Sequence, residues 1–165
     1  MFDAEIRGLA HAIITTAKRR HLRLVTAESC TGGLIVGALT SIPGSSNVID
    51  RSFVVYSRAA KSEILGVPPE LIDRFGVVSA ETAAAMAQGA LKAAGSAASV
   101  AISVTGVAGP GPSGPNEPAG LVFVGFSDGE ETVVRKLELG DIGRELVRRA
   151  AVHSALELVR DELGA

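Results

Sequence analysis

The spacing of apolar residues predicts helices at both ends of the chain. Between residues 3 and 20 they recur three and four positions apart, which is the period of an amphipathic helix, and Asp3 is placed to cap its first turn. The same period predicts a final helix over residues 141–163. Further helices are predicted over residues 34–40, 57–65 and 69–75, and from a cap at Ser79 to about Gly95.

Short apolar runs rich in β-branched residues predict strands between these helices. The runs cover residues 22–27, 53–56, 99–104, 121–126 and 132–139. Asp128-Gly129 separates the last two runs and is typical of β-hairpin turns. Helices and strands alternate early in the chain, and the hairpin comes late. The pattern therefore predicts an α/β fold, with residues 1–165 in a single three-layer α/β/α domain that contains a mixed sheet.

Composition and charge narrow the classes of function. A chain of 165 residues favours one domain, and 16 Lys and Arg against 18 Asp and Glu give a net charge of −2. Such a chain has no general attraction for nucleic acid or anionic membranes. With 4% aromatic residues and no Trp it offers little surface for stacking bases, so no direct nucleic-acid partner is expected. The single cysteine, Cys30, excludes an intramolecular disulfide and a multi-cysteine zinc site.

The distribution of charge along the chain bears on its location. No stretch long enough to cross a membrane is free of charged residues. The first twenty residues carry acidic side chains early and a basic cluster late, which is the reverse of a secretory signal. We therefore expect a cytoplasmic protein without membrane contacts. Its small size and long Ala-rich helix favour a homo-oligomer.

Ser29 is the first candidate for chemistry. It lies in Glu28-Ser29-Cys30-Thr31-Gly32-Gly33, between a predicted strand and a predicted helix, and ligands of α/β sheets bind beyond the carboxyl ends of strands. A hydroxyl there can act as a nucleophile, and the backbone N–H groups that open the helix can stabilise an oxyanion. Paired glycines let a substrate approach the backbone. The alternative is that Ser29 or Thr31 only caps the helix.

Cys30 competes with Ser29 for the role of nucleophile. A helix N-terminus lowers the pKa of a thiol, and the thiolate is intrinsically reactive. However, no histidine lies nearby in the sequence to activate it. The alternative is a small buried side chain that packs against the sheet.

A serine nucleophile needs a base, and Lys61 is the candidate that the sequence offers. The histidines His11, His21 and His153 lie in or at the ends of predicted helices, away from any glycine-rich turn and without metal-ligand spacing. A lysine titrates near 10.4, so a base at pH 7–8 needs a pKa lowered by about three units. Burial can lower it, and so can a cation such as Arg58 one helical turn earlier. The alternative is an exposed lysine on a short helix.

The Gly- and Pro-rich segment over residues 105–120 is the third candidate. It begins with Thr105-Gly106 and matches neither the phosphate-binding loop, since no Gly-Lys-Ser/Thr follows, nor a dinucleotide fingerprint, since a strand follows it. Long loops in compact domains often bind or cover ligands, and the alternative is a plain surface loop. Arg144, Arg148 and Arg149 at the start of the last helix can hold a ligand phosphate, or can be solvated charges.

Taken together, five segments resemble the CinA family, and in particular its C-terminal domain, a nicotinamide mononucleotide deamidase. The resemblance extends from about residue 10 to the end of the chain, in the form that lacks the family's extra N-terminal domain. The segments that carry it are Thr26-Ala27-Glu28-Ser29-Cys30-Thr31-Gly32-Gly33, Gly44-Ser45-Ser46, Tyr56-Ser57-x-x-Ala60-Lys61, Gly76-Val77-Val78-Ser79 and Gly106-Val107-Ala108-Gly109-Pro110.

This resemblance implies an amidohydrolase that converts nicotinamide mononucleotide and water to nicotinate mononucleotide and ammonia, without a cofactor or a metal. It implies Ser29 as the nucleophile and Lys61 as the base, with Tyr56 assisting the proton transfers or orienting the serine. The basic residues of the last helix would meet the phosphate of this small-molecule nucleotide. The implied substrate-binding residues are Glu28, Cys30, Thr31, Gly32, Gly33, Arg58, Thr105, Gly106, Gly109, Arg144 and Arg148.

The chain departs from the family pattern at several positions. Arg58 stands where the family usually has Asn, and Ala59 where it has an acidic residue. In the Gly/Pro loop Pro112 and Ser113 interrupt a run of glycines, and Glu117 replaces a lysine. Two opposite charge changes predict that Arg58 and Glu117 face each other over the site, the alternative being two unrelated surface changes.

Two rival functions remain open from the sequence. One is a nucleotide-binding domain that has lost turnover, and the other is an interaction domain linked to competence or DNA damage. Release of ammonia from nicotinamide mononucleotide separates the amidohydrolase from the silent binding domain.

Overall fold

The structure, a computed structural model, describes residues 2–165. Within this range the chain forms six α-helices and five β-strands. In chain order they are α1 (Ala4–Arg19), β1 (Leu24–Glu28), α2 (Leu34–Thr40), β2 (Ile49–Val54), α3 (Arg58–Leu65), α4 (Pro69–Phe75), α5 (Ala80–Ala94), β3 (Val100–Gly106), β4 (Leu121–Ser127), β5 (Thr132–Glu138) and α6 (Arg144–Leu163).

The five strands form one mixed sheet in the order β2-β1-β3-β4-β5. Strand β1 pairs in parallel with both β2 and β3, whereas β3, β4 and β5 pair antiparallel. Apolar side chains from the two faces of the sheet form separate cores. One core packs against α1, α2 and α6, and the other packs mainly against α3, α4 and α5. The predicted three-layer α/β/α domain with a mixed sheet is confirmed.

Local sequence signals explain several element boundaries. Asp3 caps α1 by accepting a hydrogen bond from the Ile6 amide at 2.9 Å, and Ser79 caps α5 in the same way. The Asp128 carboxylate accepts hydrogen bonds from the amides of Glu130 and Glu131 in the β4–β5 turn, as expected for an Asp-Gly hairpin. These caps satisfy backbone donors that have no partner within their own helix or strand.

Two predicted boundaries are wrong. The second strand spans Ile49–Val54 instead of residues 53–56, because it is an edge strand and its mixture of polar and apolar residues hides it. The last helix begins at Arg144 instead of residue 141. Its N-cap is Gly143 at φ 100°, and the carboxylate of Asp141 accepts a hydrogen bond from the Gly111 amide in the Gly/Pro loop.

The sheet brings the three candidate segments to one edge. Glu28, the last residue of β1, is level with Val54 of β2 and Val104 of β3. Because these three strands are parallel, the residues that follow them meet beyond the same end of the sheet. None of the helices formed by residues 2–165 is both long and apolar enough to span a membrane.

Candidate active site

Ser29 lies on a tight turn between β1 and α2, which we call the serine turn (residues 29–33). The Ser29 amide donates to the carbonyl of Val104 at 3.1 Å, and the Gly32 amide donates back to the Ser29 carbonyl at 3.0 Å. Gly32 and Gly33 have φ values of 60° and 96°, a conformation that favours glycine. The paired glycines therefore let the chain reverse into α2 while Ser29 stays at the end of the sheet.

Glu28 anchors the serine turn from inside the protein. Its fully buried carboxylate accepts hydrogen bonds from the Thr31 hydroxyl at 2.7 Å and from the amides of Gly33, Ile35 and Val36 at 2.9, 3.1 and 2.8 Å. A carboxylate is favourable at a helix N-terminus because it satisfies the unpaired amides there. The side chains of Glu28 and Thr31, two residues predicted to bind substrate, are instead buried and engaged with each other.

Lys61 reaches Ser29 from α3, on the other side of the sheet edge. Its side chain is fully buried, and Nζ donates to Ser29 Oγ at 3.0 Å and to the Val55 carbonyl at 2.8 Å. Burial lowers the pKa of Lys61 to about 8 from its ordinary value of 10.5, and the nearby Cys30 opposes part of this shift. A lysine with such a pKa is neutral for part of the time near pH 7–8 and can then accept a proton.

Arg58 does not contribute to this site as the sequence predicted. It lies at the start of α3, but its guanidinium is exposed and binds the Pro69 carbonyl and the Asp73 carboxylate. Its guanidinium is bound to α4, and Arg58 is not the cation that lowers the pKa of Lys61. Desolvation of the amine accounts for that lowering.

Cys30 points into the protein beside Ser29 and Lys61. Burial raises the pKa of its thiol to about 11, so little thiolate forms near neutral pH. The helix N-terminus does not produce the lowered pKa that a cysteine nucleophile requires. The structure therefore fits the interpretation of Cys30 as a small packed side chain better than its interpretation as the nucleophile.

A cavity of about 390 Å³ opens over Ser29. Thr105 lines its floor and donates its hydroxyl to the Val77 carbonyl at 2.9 Å. Gly32, Gly33, Arg58 and Arg148 are not part of its wall. Of the residues predicted to act on the substrate, the cavity is lined by Ser29, Cys30, Tyr56, Thr105, Gly106, Gly109 and Arg144. Other residues of the candidate segment 105–120 also line it, namely Val107, Ala108, the Pro110–Ser113 stretch and Glu117, whereas Val77 and Val78 lie outside the segments predicted to hold the site.

Tyr56 and Arg144 form one side of the cavity mouth. Arg144 donates from Nη2 to the Tyr56 hydroxyl and from Nη1 to the Gly109 carbonyl, both at 2.9 Å. Tyr56 is 61% exposed and makes no hydrogen bond with Ser29 or Lys61 within residues 2–165. In this state Tyr56 does not orient the serine. Arg144 instead links α6, the Gly/Pro loop and the segment after β2.

Glu117 holds the Gly/Pro loop against the start of α5. Its carboxylate accepts hydrogen bonds from the Val78 amide at 3.3 Å and from the Ser113 hydroxyl. The predicted pairing of Glu117 with Arg58 is wrong, because Arg58 binds Asp73 of α4 instead. The loop is therefore tied to the start of α5 through Glu117 and to the start of α6 through Asp141 and Arg144.

Arg148 lies one helical turn after Arg144 but contacts the protein backbone instead of the cavity. Its Nε donates to the Cys30 carbonyl at 3.1 Å, and its Nη2 donates to the Thr31 carbonyl at 2.9 Å. Contrary to the prediction from the sequence, its guanidinium is therefore not placed to bind a ligand phosphate in the cavity. No signal in the sequence identifies this contact, since the two segments are separated by more than one hundred residues.

Comparison with known proteins places this arrangement in a family. The chain is 44% identical to the competence/damage inducible protein CihA of Agrobacterium tumefaciens, whose crystal structure matches 100% of this chain and 99% of that one with a TM-score of 0.93. A competence-damaged protein (CinA) superfamily protein of Escherichia coli is 32% identical, with 95% of this chain and 90% of that one matched and a TM-score of 0.88.

The curated relatives are longer than this chain. A CinA-like protein of Kosmotoga olearia is 39% identical over 156 residues, which are 94% of this chain and 37% of that protein. The chain spans 37–39% of the length of the curated relatives that it matches. The sequence model of the CinA C-terminal domain covers residues 6–163. The chain therefore belongs to the CinA C-terminal domain family.

Proposed function

We propose that this domain is an amidohydrolase that removes the carboxamide nitrogen of nicotinamide mononucleotide by a Ser-Lys mechanism. The observation that carries the proposal is the 3.0 Å contact between Lys61 Nζ and Ser29 Oγ, made by a fully buried lysine whose pKa is lowered to about 8. An amine that is neutral near pH 8 and touches a serine hydroxyl is the arrangement that activates a serine nucleophile without histidine.

The reaction begins with proton transfer from Ser29 to neutral Lys61. Ser29 Oγ attacks the carboxamide carbon, the C=O π electrons move to oxygen, and a tetrahedral oxyanion forms. The Lys61 ammonium then protonates the amide nitrogen, and the C–N bond breaks. Ammonia departs, and the acyl group remains bound to Ser29 as an ester. Lys61, neutral again, takes a proton from water as the hydroxide attacks this ester. Collapse of the second oxyanion releases the carboxylic acid and returns a proton to Ser29.

The cavity supports a nucleotide as the substrate. Its volume of about 390 Å³ falls within the range of small-molecule sites, roughly 300–1,000 Å³. Arg144 at the mouth makes no salt bridge with a carboxylate among residues 2–165, so its charge is available to a phosphate. The carboxamide would lie over Ser29 and the phosphate beside Arg144.

The test is ammonia release from three carboxamides that differ in one part: nicotinamide mononucleotide, nicotinamide riboside without the phosphate, and free nicotinamide. The proposal predicts the highest kcat/KM for the mononucleotide. Arg144→Ala should raise KM for the mononucleotide by about tenfold and change the riboside little. Arg149→Ala is the matched control, because Arg149 lies on the same helix and binds Asp3 on the surface. Absence of ammonia from all three compounds would refute the proposal.

A further inference from the structure

The serine turn contains five backbone amides, and three of them already have acceptors. The Ser29, Gly32 and Gly33 amides donate to Val104, Ser29 and Glu28, respectively. The amides of Cys30 and Thr31 make no hydrogen bond to any other residue among residues 2–165. An oxyanion formed on Ser29 therefore has these two N–H groups as candidate donors, whereas the sequence suggested the whole turn.

A trans peptide is planar, so its N–H points away from its own carbonyl. The direction of an amide can therefore be fixed by holding the carbonyl of the preceding residue. The Cys30 amide belongs to the peptide whose carbonyl, Ser29 O, accepts from the Gly32 amide within the turn. The Thr31 amide belongs to the peptide whose carbonyl, Cys30 O, accepts from Arg148 Nε. The two amides without acceptors thus belong to peptides whose carbonyl oxygens are each held by a hydrogen bond.

We infer that Arg148 is a positioning residue that fixes the peptide groups of the serine turn, so that the Cys30 and Thr31 amides stay directed to an oxyanion on Ser29. This inference rests on the proposed acyl-transfer chemistry. A single planar guanidinium holds two consecutive carbonyls, Cys30 O at 3.1 Å and Thr31 O at 2.9 Å. The contact with Cys30 O keeps the peptide that carries the Thr31 amide from flipping, which would place a carbonyl oxygen beside the developing negative charge. The contact with Thr31 O holds the peptide that carries the Gly32 amide, and this amide in turn holds Ser29 O, the carbonyl of the peptide that carries the Cys30 amide.

The surroundings of Arg148 fit this role. It makes no salt bridge within residues 2–165, and its half-buried guanidinium lies against the turn. A Cβ at residue 32 would lie 3.5 Å from Arg148 Nη2, so Gly32 allows this close approach. A cation on a peptide oxygen also polarises that peptide and strengthens its N–H as a donor. Lysine cannot replace the guanidinium, because it lacks the rigid fork that reaches both carbonyls.

The test compares Arg148→Lys and Arg148→Met with Arg149→Met, which alters the neighbouring arginine on the same helix without touching the turn. Two rates are measured at a temperature well below the thermal unfolding midpoint of each variant. The first is kcat for ammonia release. The second is the rate at which a fluorophosphonate phosphonylates Ser29, forming the O–P bond and releasing fluoride while Lys61 takes the serine proton. The phosphoryl oxygen of this probe requires the same amides but not the specific substrate.

Both Arg148 variants should lower kcat and the phosphonylation rate by about 10- to 100-fold, with KM within about threefold of the wild type. Arg149→Met should change neither rate. Wild-type rates in a folded Arg148→Lys protein would overturn the inference, and so would a change confined to KM, which would make Arg148 a substrate ligand. If wild-type protein releases no ammonia, the proposed function fails, while the phosphonylation rates still decide the role of Arg148. A wild-type Ser29 inert to the probe would refute the positioning role.

Discussion

Lys61 carries an amine into a position where water does not reach it, and its chemistry follows from that burial. The charged form loses hydration that the Val55 carbonyl and the Ser29 hydroxyl only partly replace. Burial therefore lowers its pKa to about 8. At pH 7 roughly one lysine in ten is neutral, and the fraction passes one half near pH 8. A cation of fixed charge in the same place would lack this neutral form.

Replacement of Lys61 by arginine should be nearly as damaging as replacement by alanine. Arginine keeps the positive charge but cannot deprotonate in this range of pH. For the wild type, kcat/KM should rise with pH and level off above about pH 8, as the neutral base becomes the main form. We would measure both variants and this profile by ammonia release. An arginine variant with a rate near that of the wild type would show that Lys61 acts only as a charge.

The same buried amine makes stability depend on pH. The pKa of Lys61 is about 8 in the folded protein, below its ordinary value of 10.5, so between these values the unfolded chain binds a proton that the folded chain does not. The destabilisation is complete below pH 8 and is relieved as pH rises toward 10.5. From pH 7 to pH 10 the wild type should gain about 2–3 kcal/mol relative to Lys61→Met. Urea unfolding of both proteins at the two pH values measures this difference, and an unchanged difference would contradict the lowered pKa.

At the scale of secondary structure, the junction between β1 and α2 positions Ser29, the proposed nucleophile. Strand β1 ends at Glu28, and α2 begins at Leu34 and contains only seven residues. So short a helix has little stability of its own. Its N-terminus is instead fixed by the buried Glu28 carboxylate, which accepts from three backbone amides. The serine turn is thus held by a carboxylate inside and by Arg148 outside.

Glu28→Gln should destabilise the protein more than an ordinary surface change. The glutamine side chain would place an NH₂ group among amide donors, so at least one buried donor would lose its acceptor. Loss of a buried, charge-assisted contact typically costs about 2–4 kcal/mol. Denaturant unfolding measures the loss. The control is Glu63→Gln on the exposed side of α3, which should change stability by less than about 0.5 kcal/mol. Equal stability of Glu28→Gln and the wild type would show that α2 needs no anchor.

The sequence predicted these elements better than the contacts between them. Periodicity located the helices because each has a continuous apolar face, and the Asp-Gly turn located the hairpin. The pattern of apolar residues missed the extent of β2, because an edge strand is half-exposed and tolerates polar residues such as Asp50 and Arg51. The contact of Arg148 with the serine turn joins segments far apart in the chain, so no local pattern carries it.

At the scale of the whole molecule, the packing of α3 against α5 on one face of the sheet determines where Lys61 lies. Helix α3 packs against α5, and Gly89 of α5 meets the Leu65 carbonyl at the end of α3. A Cβ at residue 89 would overlap that carbonyl oxygen. The small residue therefore permits the close approach of the two helices. Lys61, one turn before Leu65, is thereby brought to the edge of the sheet that carries Ser29.

Gly89→Ala should move α3 outward and separate Lys61 from Ser29. We expect kcat to fall by at least tenfold and stability to fall by about 1–3 kcal/mol, as in other overpacked cores. Gly8→Ala is the matched control, because Gly8 is also in a helix but has open space at its Cβ position. Ammonia release and denaturant unfolding measure the two effects. Unchanged activity in Gly89→Ala would mean that the helices do not set the Lys61–Ser29 distance.

The arrangement of the strands also explains which parts of the site the sequence can predict. It predicts which segments lie near one another, but it does not predict which charged side chains pair. Parallel strands β1, β2 and β3 end at one edge of the sheet, so the segments that follow them lie close together. The predicted pairing of Arg58 with Glu117 rests on charge alone, and the fold places Asp73 beside Arg58 instead. Charge complementarity without a known distance does not identify a contact.

The central claim is that Ser29 is the nucleophile, and the most direct measurement is kcat for ammonia release by Ser29→Ala and Cys30→Ser. Cys30→Ser serves as the control because its thiol is buried and its raised pKa, about 11, disfavours the thiolate. Ser29→Ala should abolish turnover while binding of nicotinamide mononucleotide, followed by calorimetry, is largely retained. Cys30→Ser should keep most of the wild-type kcat. A Ser29→Ala protein that keeps more than about a tenth of kcat, a deficit below about 1.4 kcal/mol, would contradict the account.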